Sequence, residues 1–164
     1  MAIKDALLPE FDHEMAVTRK VLQRVAEDRF AYQPHEKSMT LLRLASHVAD
    51  VPSWGQTILH DAEFNMTSGT PAPEPKKNLA EILDHFDAKA KAVRALLVDQ
   101  TDAQLMEIWA FKHDGKELFS MPRVAAWRGW VMNHLIHHRG QLSVYLRLTG
   151  SKVPGIYGPS ADES

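Results

Sequence analysis

The sequence predicts an all-α fold: a four-helix bundle with a long third crossover connection carrying a short β-hairpin. Three observations point there. Four segments of roughly 20–27 residues repeat apolar residues near every 3.6 positions, the period of a one-sided helix. Proline- and glycine-rich stretches separate them. Between the last two, apolar runs flank an Asp-Gly pair, the signal for a tight hairpin. With 164 residues, 45% hydrophobic and 24% charged, the chain reads as one globular domain, residues 1–164, ending in an extended tail at 150–164.

The first helix is expected from about residue 3 to 27, with Leu7, Leu8, Phe11, Met15, Val21, Leu22 and Val25 as its stripe. Gln33-Pro34 and the polar residues after it end it. Ser38 or Thr40 caps a second helix running to about residue 62, with Pro52 kinking it by removing one N–H. Residues 69–77 hold three prolines and form a loop. Asn78, with Glu81 three residues on, has the pattern of a capping box opening a third helix to about Asp99. Thr101 to Gln104 starts a short helical turn, and His113-Asp-Gly-Lys116 lies between Ile108–Phe111 and Leu118-Phe119. Ser120 is expected to cap the fourth helix, with Pro122 in its first turn and Gly150 at its end.

Composition excludes several functions. A net charge of −2 supplies no basic surface for nucleic acid. Cysteine is absent, which removes disulfides, thiolate nucleophiles and cysteine-containing zinc motifs. No apolar run approaches a membrane span, and the acidic start MAIKDALLPEFDHE lacks an export signal, so a cytoplasmic protein is expected. Any metal site must use the nine histidines and the carboxylates.

The segment NHLIHHRGQL, residues 133–142, carries the main chemical signal. His134 and His138 lie about 40° apart around a helix, stacked on one face. That face continues through Trp127, Val131, Gln141 and Tyr145, and on the second helix His47 lines up with Leu44, Val51 and Trp54. Three inward histidines without a partner are costly, and a shared cation gives them one. Three imidazoles plus water is the donor set of an open divalent site. His137 competes as a chelating partner of His134, about 60° away. His13, His35, His60, His85 and His113 fall among polar neighbours and read as surface residues. A di-iron carboxylate site fails, because residues 122–148 contain no Asp or Glu.

Asp50, one turn beyond His47, is the candidate catalytic residue, placed to orient His47 or take a proton. Trp54, Gln141 and Tyr145 are candidate pocket residues; core packing explains Gln141 and Tyr145 equally well, and for Trp54 it is the favoured reading. Gly140 costs about 1 kcal/mol in a helix interior, which suggests close approach of a neighbouring helix or protomer. The apolar, proline-stiffened residues 153–159 are expected to pack back on the bundle or on a partner protomer near the pocket mouth.

LLRLASHVADVPSW at 41–54, NHLIHHRGQLSVYLRLTG at 133–150 and VPGIYGPSADE at 153–163 together resemble the DinB/YfiT-like superfamily of metal-binding four-helix bundles. The resemblance implies one divalent ion per chain, nickel or zinc, held by His47, His134 and His138, with His137 as a non-ligand. It also implies a homodimer. Relatives include low-molecular-weight thiol S-transferases, which would make a thiol and an electrophile the substrates. Hydrolysis is the other chemistry such a centre supports. The alternative is a non-catalytic or stress-response bundle whose metal is structural.

Overall fold

The computed structural model of the chain describes residues 1–71 and 73–163. Helix α1 (Ile3–Leu22) buries Leu7, Phe11, Met15, Val21 and Leu22. It stops five residues before the period predicts. Val25 is nevertheless buried, because the Arg24 and Val25 amides bond to Val21 and Leu22 in a final tight turn that keeps the side chain on the core. The apolar period therefore outlives the helical backbone.

Thr40 caps α2 (Leu41–Asp50), its hydroxyl accepting from the Arg43 amide at 3.2 Å. Pro52 does more than kink the expected single helix. It divides it into α2 and α3 (Ser53–His60): the Trp54 amide turns to the Val51 carbonyl, and the Ser53 hydroxyl donates to the Asp50 carbonyl at 2.6 Å in its place. A Cβ on Gly55 of α3 would lie 2.5 Å from Val93 and 3.0 Å from Trp127. That residue, not Gly140, is the close approach inside the chain, since nothing lies within 4 Å of a Cβ built on Gly140.

Helix α4 (Leu79–Val98) is capped by Asn78, whose side chain accepts from the Glu81 amide, while Glu81 reaches back to Lys77 rather than Asn78. A full capping box instead opens the short α5 (Asp102–Met106), between Thr101 and Gln104.

The fold is mostly helical with a small three-stranded sheet. The expected hairpin forms between β2 (Ile108–His113) and β3 (Lys116–Pro122), turning on Asp114 and Gly115 with φ of 49° and 77°. A third strand, β1 (Glu63–Met66), pairs parallel with β2. Its four residues are too few to show a period-2 pattern. Ser120 lies inside β3, bonded to Glu117, so the cap assigned to it falls to Pro122. The last helical run is α6 (Arg123–Ala126), a π-helical stretch at Trp127–Asn133, and α7 (His134–Leu148). The third crossover thus contains a strand pair that ends directly on the helix carrying the histidines.

α1 and α2 each pack on α4 and α7, and α3 packs on α4 and the π-helical stretch. Phe11 and Trp127 meet in this core with ring centroids 5.3 Å apart. The tail folds back over α1 and α7. Tyr157 bonds to Arg139 and Glu14, Asp162 pairs with Arg147, and Glu163 pairs with Arg24. Ser160 joins them, its hydroxyl donating to the Val153 carbonyl at 2.6 Å, so the described end of the tail is held in place. Among the described residues, no helix is long and apolar enough to cross a membrane.

Candidate metal centre

Two helices supply the centre. On α2, the face that buries Leu44 and Val48 carries His47 inward. On the other side His134 is the first residue of α7, where the π-helical stretch hands over to regular helix, and His138 follows one turn later. One ligand nitrogen from each of the three rings lies within 4.8 Å of the others. The Nε2 atoms of His47 and His134 are 3.1 Å apart, and the ring centroids are 4.4–5.0 Å apart. Two nitrogens each about 2.05 Å from a tetrahedral ion sit roughly 3.3 Å from one another, so the observed spacing suits a shared cation.

Hydrogen bonds fix which nitrogen is free. His134 Nδ1 faces the Trp130 carbonyl at 3.3 Å, and His138 Nδ1 faces the Gln141 Oε1 at 2.8 Å. Both partners are acceptors, so each Nδ1 carries the proton and each Nε2 presents its lone pair. Burial, followed by the neighbouring His138 and His134, pushes His47 down to about 4. Burial first, then a neighbouring histidine, also lowers His134. For His138 burial dominates, partly opposed by the Gln141 bond. All three rings are neutral near pH 7, the state a metal requires. The donor set fits a divalent ion.

A sequence profile of the DinB family matches residues 1–164. The chain belongs to the DinB family. It is 30% identical to the uncharacterized protein YrdA of Bacillus subtilis over 162 residues, spanning 97% of this chain and 90% of that protein. It is 24% identical to YjoA of the same organism, over 92% of this chain and 93% of the relative. The crystal structure of a DinB-like protein from Bacillus cereus superposes with a TM-score of 0.72 at 24% identity, covering 95% of this chain and 98% of that one.

Within this DinB fold two cavities flank the histidines. One, of ≈280 Å³, is lined by Arg43, Ser46, His47, Asp50 and Lys76. The other, of ≈460 Å³, is lined by Pro34, Leu44, His138, Gln141 and Tyr145. Met39 borders both, its carbonyl held by the Tyr145 hydroxyl at 3.0 Å. Gln141 and Tyr145 therefore stand on a cavity wall. Trp54 does not line either cavity. It packs against Phe64 and Trp130, at 5.0 and 5.2 Å between centroids, in an aromatic cluster that includes Phe111 and Phe119. His137 is exposed and lies beside His138 without joining the cluster.

Asp50 borders the His47 cavity, but its Oδ1 bonds to His85 Nε2 at 2.8 Å rather than orienting His47. His85 is accordingly not a free surface residue: its side chain is 23% exposed and ties α4 to α2. Its position three after Ile82, next to Phe86, was the available signal. The Trp130 carbonyl had no signal, because it depends on the π-helical stretch. Carboxylates of α1 and the tail are engaged away from the three rings. Asp12 pairs with Arg94, Asp162 with Arg147 and Glu163 with Arg24.

Proposed function

We propose that this helical bundle holds one divalent ion, nickel or zinc, on His47, His134 and His138, and acts as a metal-dependent enzyme on small molecules. Low-molecular-weight thiol S-transfer is the favoured reaction, ahead of hydrolysis. A cation so held favours the deprotonated form of a thiol and polarises an electrophile. The observation that carries this reading is the open set: three neutral imidazoles converge, no carboxylate among the described residues completes the group, and a cavity opens on each side. A structural metal calls for a closed set. Two cavities suit two reactants, which favours transfer over hydrolysis. The cysteine-free chain leaves the thiol to come from outside.

The chain's own residues have definite tasks. The Trp130 carbonyl and Gln141 Oε1 orient His134 and His138. Asp50, anchored through Oδ1 by His85, keeps Oδ2 to take a proton from a ligand in the His47 cavity. The exposed stripe Gly140, Val144 and Leu148 on α7, open in the single chain, suits a two-fold contact with a second copy.

The test is metal analysis of purified protein followed by a screen of thiols against a chromogenic electrophile. The expected result is about one ion per chain and thiol-dependent turnover lost on chelation. Metal without any turnover across thiols, esters and amides contradicts the enzyme reading.

A further inference from the structure

The His47 cavity contains a cation that the fold itself does not use. Of the nine arginines, eight stand in ion pairs, from the exposed Arg19–Asp87 pair to the buried Arg139–Glu14 pair. Arg43 is the exception among the described residues, and it borders this cavity. It sits four residues before His47 on α2, so the two side chains are neighbours on one helix face, about 6 Å apart at Cβ. Neither acid that borders the cavity forms an ion pair with it. Asp50 is engaged by His85, and Glu74 borders the same cavity without an ion pair to Arg43. Lys76 adds a second positive charge, and its segment is pinned against α2 by the Lys76 amide donating to Ser46 Oγ at 2.9 Å.

A guanidinium prefers a planar two-oxygen partner and binds a carboxylate through two parallel hydrogen bonds. We propose that Arg43 is the anion-recognition residue of the site, and that the His47 cavity takes a small molecule bearing a carboxylate. Arg43 grips the carboxylate while the donor atom of the same molecule reaches the point where the three histidines converge. The Arg43–His47 spacing puts the carboxylate a few bonds from that donor atom. A cavity of ≈280 Å³ limits the ligand to a small acid. The inference builds on the metal reading and adds a substrate class to it.

The experiment uses cobalt-loaded protein and a matched pair of probes, 3-mercaptopropionate and 3-mercapto-1-propanol, followed by the sulfur-to-cobalt absorption. The expected result is binding of the acid about tenfold tighter than of the alcohol, the size of one charge-assisted hydrogen-bonded pair. Arg43→Gln erases that preference and leaves cobalt and alcohol affinities unchanged, whereas Arg43→Lys keeps part of it. Equal binding of both probes by the wild type, or a preference that survives Arg43→Gln, overturns the proposal. A change in solution mass in Arg43→Gln also overturns it, because Arg43 then pairs with a carboxylate of a second copy. If the protein takes up no cobalt, the metal reading fails separately. Glutarate titrated into metal-free protein then decides: a saturable shift of the Arg43 side-chain N–H resonance supports the anion site, and an unmoved resonance refutes it.

Discussion

His138 and Arg139 are consecutive on α7, and they serve opposite ends of the protein's chemistry. Arg139 is 1% exposed and its demands are met: Glu14 Oε2 at 2.5 Å, Thr18 Oγ1 at 3.2 Å, and the Tyr157 hydroxyl at 2.6 Å. Tyr157 in turn donates to Glu14 Oε1 and lies under the guanidinium. His138, on the neighbouring face, is half-buried beside two other rings whose free nitrogens point together. A satisfied buried pair fixes structure. A convergent set of lone pairs facing a cavity is a site that wants a ligand. The two faces differ in what they ask of the surroundings, although both use buried polar groups.

The strongest way to break the comparison is to remove a partner on the satisfied side. Glu14→Ala strands a buried guanidinium and should cost about 3–5 kcal/mol in denaturant unfolding, with metal uptake by the folded fraction unchanged. Unchanged stability would mean that water or another acid serves Arg139. On the other side, His134→Ala should abolish most metal binding yet leave the metal-free protein as stable as the wild type, because it also removes the 3.1 Å contact between two Nε2 atoms. His137→Ala should keep the metal. Equal loss in both variants would mean the ligand pair is His134 and His137.

Acid should separate the two regions again. His47 in the folded chain titrates at about 4, below its unfolded value, so the unfolded state binds more protons between pH 6.5 and 4. Stability of the metal-free protein is therefore full above pH 6.5 and falls as pH drops through that window. Bound metal, which demands the neutral rings, is released over a range set by its affinity. A flat unfolding profile from pH 7 to 4.5 would contradict the burial of His47. Smaller still is Tyr157→Phe, expected to cost about 1–2 kcal/mol through the lost bridge between Arg139 and Glu14, without touching metal content. A metal effect would place the tail at the site, whereas the structure puts it on the α1 and α7 side. Light scattering at tens of micromolar should give the mass of a dimer, reduced to a monomer by Val144→Glu.

What the sequence disclosed follows from which forces are local. The His134/His138 face was legible because i,i+4 spacing alone places two rings together, and His47 shared a stripe with core residues. The π-helical stretch was hidden, since Trp127 to Asn133 read as ordinary helix and their register is set by packing against α3 and the sheet aromatics. β1 was hidden because its partner β2 is more than 40 residues away. Gly140 and Gly55 show the same limit. Both interrupt helices, and only tertiary contact tells which one a neighbour presses against. Arg139 meets Glu14 of α1, a partner far away in the chain that only the folded arrangement brings to it.

The central claim is an open three-histidine metal centre. X-ray absorption on zinc- or nickel-loaded protein tests it most directly. The predicted result is three imidazole nitrogens at about 2.0–2.1 Å with one further light donor that is displaced by an added thiol. A set of four protein donors that no thiol displaces, or a spectrum unchanged by His134→Ala, would contradict it.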